Sequence, residues 1–288
     1  MVGAMAAASP GSGGAAIAEQ RGAVFAVVSG KGGVGKSIIA SNLAIALGME
    51  TTGRVALVDL DLQFGDVGVL LDLDHPGSIV ELADASASSD ADLIQETLAG
   101  GPQGIKVLLA PNSPEHGEVV TSAHLRTIME ELQRTFDFIV VDTASHLDEL
   151  NLEAIDLATR VILVAALNIP AIKDTKLALK VMESLNIEPD RILLTLNHSD
   201  ASSDLHKEAV ASNLRFPIAV EIPNDPRVVG GSVNRGAPFV IANPEAEVSR
   251  SIRELVSLLV PLEAPAPAVA VLGAGVRNRP RRFGFAKG

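Results

Sequence analysis

The stretch Val24-Phe-Ala-Val-Val-Ser-Gly-Lys-Gly-Gly-Val-Gly-Lys-Ser37 decides the fold. Five apolar residues in succession have the length and composition of a strand buried on both faces. The glycines that follow allow tight turns in which successive N–H groups point at one anion. From Gly30 to Ser37 the chain satisfies G-x-x-x-x-G-K-[ST] in full, and a helical pattern over Ser37–Leu47 continues from it. A strand, a glycine loop and a helix in that order is the context in which this motif cradles phosphate. The spacing assigns Gly30, Lys31, Gly32, Gly33, Val34, Gly35, Lys36 and Ser37, with Ile38 beside them, to a nucleotide's phosphate chain. Lys36 is placed to reach the β- and γ-phosphates, and the Ser37 hydroxyl to ligate Mg²⁺.

Working outward, the same alternation continues to about Pro261. Strands are predicted over Val24–Ser29, Val55–Asp59, Lys106–Ala110, Phe138–Asp142, Val161–Ala165 and Ile192–Asn197. Helices are predicted over Ala123–Arg134, Leu150–Leu157, Ile172–Leu185, Leu205–Leu214 and Ser249–Val260. Uninterrupted apolar strands belong to a parallel sheet covered on both sides, and strand–helix repetition makes it a doubly wound α/β domain. No internal repeat is visible.

Two strands end in acid. Val55-Ala-Leu-Val-Asp59-Leu-Asp61 closes on D-x-D, and residues two apart on a strand share a face, so Asp59 and Asp61 are expected to point the same way. Phe138-Ile-Val-Val-Asp142 is four apolar residues and then an acid, the pattern whose carboxylate holds Mg²⁺ directly or through water. In an open parallel sheet the carboxyl ends of the strands border the ligand crevice.

The 288 residues are 47% hydrophobic and 20% charged, a globular composition with ample material for a core. Cysteine is absent, which excludes disulfides, thiol nucleophiles and Cys-held metal centres. The six histidines are scattered, and the nearest pair, His198 and His206, lacks a usual metal-ligand spacing. A net charge of −12 argues against a large nucleic-acid footprint. The longest aliphatic run, Val161 to Leu167, is far short of the ~20 residues a spanning helix needs, and no basic residue precedes Arg21 to begin a leader. A cytoplasmic protein is the expectation.

The folded domain is expected over residues 23–260. Residues 1–22, rich in Ala and Gly, read as a disordered tail, and the Pro/Ala-rich residues 261–276 as a linker. Residues 277–288 hold five basic residues, no acid, and Phe283 and Phe285; a solvated tail is the ordinary reading, Pro280 argues against one continuous amphipathic helix, and a weak contact with anionic membrane is the alternative.

A lysine directly after the first glycine is more than a phosphate loop needs. With Lys31 in place, KGGVGKS resembles the deviant motif of the MinD/ParA family of dimeric ATPases, and the resemblance covers residues 23–260. It implies ATP and Mg²⁺ as ligands and a homodimer on ATP, in which Lys31 crosses to the partner's phosphates. It implies that Asp59–Asp61 is switch I, with Asp61 on the attacking water and Asp59 supporting the metal. Asp142 then opens switch II; many relatives carry Pro two residues later, where this chain has Ala144, so the stiffness of that loop departs from the pattern. Asn197 corresponds to an Asn that pairs with adenine, although a cap or turn is its ordinary alternative. Pro223-Asn224-Asp225 resembles the loop along the base. His146 follows switch II.

Within the family, Asp59-Leu-Asp-Leu-Gln-Phe-Gly-Asp66, Leu108-Leu-Ala-Pro111 with Pro114-Glu115, Ile222-Pro-Asn-Asp225 and Ser232-Val-Asn-Arg-Gly-Ala-Pro238 look like the CpaE/TadZ branch, which positions pilus secretion machinery. That implies a protein partner in a pilus or secretion machine. The alternatives are a MinD-type division regulator, a ParA-type DNA partition ATPase, and a scaffold that holds ATP without hydrolysing it. Metal-cluster ATPases and tyrosine kinases of similar design fit poorly, since Cys and Tyr are both absent.

Overall fold

The computed structural model of the protein describes residues 21–74, 77–84, 87–199 and 207–260. Residues 1–20 of the tail expected over 1–22, the linker, the basic segment 277–288 and His206 lie outside the described residues, as does the start expected for the helix at 205; Gly22 is described, and its N–H donates to the Gln133 carbonyl at 2.8 Å.

Eight strands form one sheet: β1 Ala23–Val28, β2 Val55–Asp59, β3 Ala99–Gly100, β4 Lys106–Leu108, β5 Phe138–Asp142, β6 Arg160–Ala166, β7 Ile192–Ser199 and β8 Ile218–Pro223. Their order is β3-β4-β2-β5-β1-β6-β7-β8, and every pair is parallel except β3 with β4. The doubly wound α/β expectation therefore holds. The helices of eight or more residues are α1 Lys36–Glu50, α2 Ser122–Thr135, α3 Glu149–Leu157, α4 Ile169–Ser184, α5 Lys207–Leu214, α6 Pro226–Val233 and α7 Glu247–Leu259.

The sheet is apolar on both sides, and this explains why its strands show no polar alternation. Val24, Ala26 and Val28 of β1 join one core with Val58, Val141 and Leu163. Phe25 and Val27 join a second core with Leu57, Val140 and Ile162, closed by α1 and α7. Among the described residues no helix is long and apolar enough to cross a membrane.

Several elements were not among those expected, three of them in or beside the sheet. The two-residue β3 is too short to carry a pattern of its own. Strand β8, IAVEIP, is an edge strand whose Glu221 interrupts the apolar run that marked the other strands. Helix α6 is announced only by Asp225 as N-cap and Pro226 at its first turn.

The central strand matters most for function. After β1 the chain crosses to β2 on one side, and after β5 it returns past β1 to β6 on the other. The carboxyl end of β1 is thus a topological switch point, where loops on the two sides diverge and leave a crevice.

Candidate nucleotide and cation site

The loop Gly30–Gly35 fills that switch point. Its start is packed so closely under α4 that a Cβ on Gly30 would lie 2.3 Å from the Asp174 carbonyl oxygen. Its end, Gly35, has φ +91° in the left-handed region that favours glycine. The Ser29 hydroxyl donates to the Lys31 carbonyl at 2.6 Å and ties the turn. Gly35 leads into α1 with no side-chain cap and no acid in the first turn, so the helix's first N–H groups and its positive dipole end are left for an anion.

Lys36 is buried, with 6% of its surface exposed. Burial lowers the pKa of its ammonium, while Asp142 and Asp61 oppose the shift by stabilising the charge. Lys31, five residues earlier, is exposed.

The two strand-end acids behave differently. Asp59 and Asp142 sit opposite each other in the β2–β5 register, and both are buried. Asp59 Oδ1 accepts the Asp61 N–H at 3.0 Å, and Oδ2 accepts the Val67 N–H at 3.2 Å. Burial first, then repulsion from Asp142, raises its pKa well above the usual carboxylate range. Asp142 has no hydrogen-bond partner on either oxygen. Burial pushes its carboxyl up to about 7, against the influence of the nearby Ser37 hydroxyl and Lys36 ammonium. A buried acceptor pair without donors is costly unless something fills the site, and a hard cation suits it. Asp142 therefore fits Mg²⁺ on the ground of its unmet acceptors, with the Ser37 hydroxyl beside it as the second oxygen. Among the described residues no cluster of three or more acids and histidines is able to hold a metal alone. A cation here would share its shell with phosphate oxygens and water.

Asp61 departs from the expectation. It does not share a strand face with Asp59, because β2 ends at Asp59 and Asp61 lies beyond it. Its Oδ1 accepts the Phe64 N–H at 3.1 Å, a local turn that competes with extension of the strand. It is still close enough to Lys36 to stabilise the ammonium.

On the other flank lies a cavity of about 260 Å³. Gly35, Ile38, Asn197, Pro223, Asn224 and Asp225, all singled out from the sequence, line it together. The sequence did not single out Phe239, Val229 and Gly230, which complete its apolar wall. Asn197 Nδ2 donates to the Val34 carbonyl at 2.6 Å, so this amide also anchors the phosphate loop from 163 residues away. Asp225 Oδ1 accepts the Val228 N–H at 3.0 Å as the N-cap of α6. A larger cavity of about 790 Å³, near Lys176, Ile187, Ile192 and Phe216, lies at the amino-terminal end of β7 and contains none of these residues.

The family model described as the CobQ/CobB/MinD/ParA nucleotide-binding domain matches residues 25–237. An ATP-binding protein of Methanocaldococcus jannaschii is 29% identical over 238 residues, covering 82% of this chain and 87% of that one. The septum site-determining protein MinD of Pyrococcus horikoshii, solved with Mg-ADP, superposes with a TM-score of 0.71 at 25% identity, over 82% of this chain and 94% of its own. A ParA family ATPase from Chlorobium tepidum has a TM-score of 0.76 at 24% identity, over 82% and 98% of the two chains.

Proposed function

Because the chain belongs to the CobQ/CobB/MinD/ParA nucleotide-binding domain family, we propose that it is a MinD/ParA-type ATPase working as a nucleotide-dependent dimer switch. The observation that carries this reading is a buried cation, Lys36, within electrostatic reach of a buried acid without hydrogen-bond partners, Asp142, beside a cavity of about 260 Å³. The Mg-ADP bound to the P. horikoshii MinD supports ATP with Mg²⁺ as the ligands.

In this reading the N–H groups of residues 30–37 and the start of α1 hold the phosphate chain, and Lys36 neutralises its β–γ end. Ser37 and Asp142 would hold Mg²⁺, which supplies charge neutralisation at the phosphate oxygens. Asp59, which the resemblance puts beside the metal, has both oxygens on backbone N–H groups and tethers switch I instead, and Asp61, at the end of that tether, orients the attacking water. The base lies between Ile38, Asn197 and the Pro223–Asp225 loop, where the second N–H and the oxygen of the Asn197 amide remain for its polar edge.

Two protomers meet face to face across the crevice, with the exposed Lys31 reaching the partner's phosphates. Phe64 and Ile169 are 75% and 73% exposed, and they follow the carboxyl ends of β2 and β6 on that face. Large apolar side chains left in water there suit a surface that is covered in one nucleotide state. The output is positioning of a larger cellular assembly through a protein partner. Among such roles, the Asp59–Asp66 and Ile222–Asp225 stretches favour the CpaE/TadZ pilus or secretion branch over MinD-type division control. The acidic charge disfavours DNA partition.

The deciding experiment is calorimetry of ATP binding. Lys36→Ala is expected to abolish tight binding, and wild-type affinity in that variant would remove the assignment.

A further inference from the structure

The loop after Asp142 runs from Thr143 to Asp148 and leans on the phosphate cradle. A Cβ on Gly32 would lie 3.1 Å from Ser145 Oγ, so the two loops are in contact at that point. Asn151, in the first turn of α3, is 1% exposed and holds this loop at three points. Its Oδ1 accepts the Ala144 N–H at 3.3 Å. Its Nδ2 donates to the His146 carbonyl. Its own N–H donates to Asp148 Oδ1 at 2.9 Å, and His146 Nε2 lies 3.2 Å from Asp148 Oδ2. One amide thus offers its acceptor to the beginning of the loop and its donor to the middle, in a place where an unmet polar group is costly.

Ala144 makes this possible. A proline at that position has no N–H to give and would take its rigidity from the ring. We propose that Asn151 is a positioning residue, a latch that holds the loop after Asp142 against the phosphate cradle and supplies through hydrogen bonds the order that a proline at 144 would supply covalently. Its consequence for turnover rests on the ATPase reading above; its consequence for loop order does not. The hydrogen bonds of Asn151 run to Ala144, His146 and Asp148, so its effect on chemistry passes through Ala144, Ser145 and Gly32.

Hydrogen exchange on the full, nucleotide-free chain tests the latch. In Asn151→Ala, residues 143–148 are expected to exchange about tenfold faster while β1 and β5 keep their protection. Under steady-state conditions kcat should fall about tenfold with KM for ATP within about threefold, the split expected when order rather than binding is lost. Adding Ala144→Pro to Asn151→Ala should recover most of the lost kcat, a non-additive cycle that ordinary loss of packing does not produce. Should Asn151→Ala fail to fold, Asn151→Asp keeps the acceptor for Ala144 and loses the donor to His146; it should show intermediate exchange in the same segment. Wild-type exchange at 143–148 in either variant overturns the latch. So does acceleration spread equally through β1 and β5, or a double variant no better than Asn151→Ala. A wild-type protein that turns over no ATP would refute the ATPase reading, and the exchange measurement would still decide the latch.

Discussion

Asp59 and Asp142 are register partners on adjacent strands, yet Asp59 has both carboxylate oxygens bound to backbone N–H groups while Asp142 has neither. The same residue type at the same height in the sheet is therefore a loop tether in one strand and an open acceptor in the next.

Asp142→Asn is expected to stabilise the nucleotide-free protein while removing its response to Mg-ATP. Holding a carboxylate charge in that buried place is costly, and the neutral amide removes the charge. The pH dependence follows. The folded-state pKa, about 7, stands above the ordinary carboxylate value, so the protonated acid favours the fold. That contribution is complete below pH ~4 and is lost as pH rises through 7. Thermal unfolding between pH 5 and 8, without nucleotide, should show the wild type losing stability relative to Asp142→Asn as pH rises. A constant difference across that range would contradict this.

Asp59→Ala should free the turn from Asp61 to Val67 without removing the cation site. Two backbone N–H groups lose their acceptor, at about 1–3 kcal/mol for each one left buried. Proteolysis in that turn should accelerate and phosphate release should fall, with the Mg²⁺ concentration for half-activity little changed. A large rise in that concentration would place Asp59 in the metal shell instead.

Asn197→Ala removes both a wall of the 260 Å³ cavity proposed for the base and the tie to Val34. Affinity for ATP and for ADP should fall together, by about tenfold, since the lost contacts are remote from the γ-phosphate. Calorimetry with both nucleotides measures this; an effect confined to ATP would argue against a base-side role.

Lys31→Ala and Asp61→Ala should give opposite oligomeric states with the same loss of turnover. Without Lys31 the protein should bind ATP but stay monomeric; without Asp61 it should dimerise on ATP and remain so, because assembly survives while hydrolysis is lost. Light scattering with Mg-ATP, alongside phosphate release, reads both. A Lys31→Ala protein that dimerises and turns over normally would remove the lysine from the interface.

The features legible before folding are the local ones. Gly30 to Ser37 is contiguous, its flanks are one strand and one helix, and the constraint on each glycine is its own backbone angle or a close approach. The six apolar strands were legible because burial on both faces leaves no polar position, and β8 was not, because its edge place admits Glu221. Tertiary structure alone decided which acid is satisfied. Whether Asp59 is a tether depends on where the chain returns at Val67, and whether Asp142 is open depends on which N–H groups β2, β1 and the loops bring near it. Likewise Asn197 meets Val34 only because β7 ends beside the phosphate loop, and Asn151 reaches Ala144 only once α3 folds back under the loop that precedes it. The one local trace of that latch, Asp148 three residues before Asn151 at a helix start, is also an ordinary capping pattern. A hydrogen bond between distant segments is fixed by the path of the chain, and no spacing of residues records it.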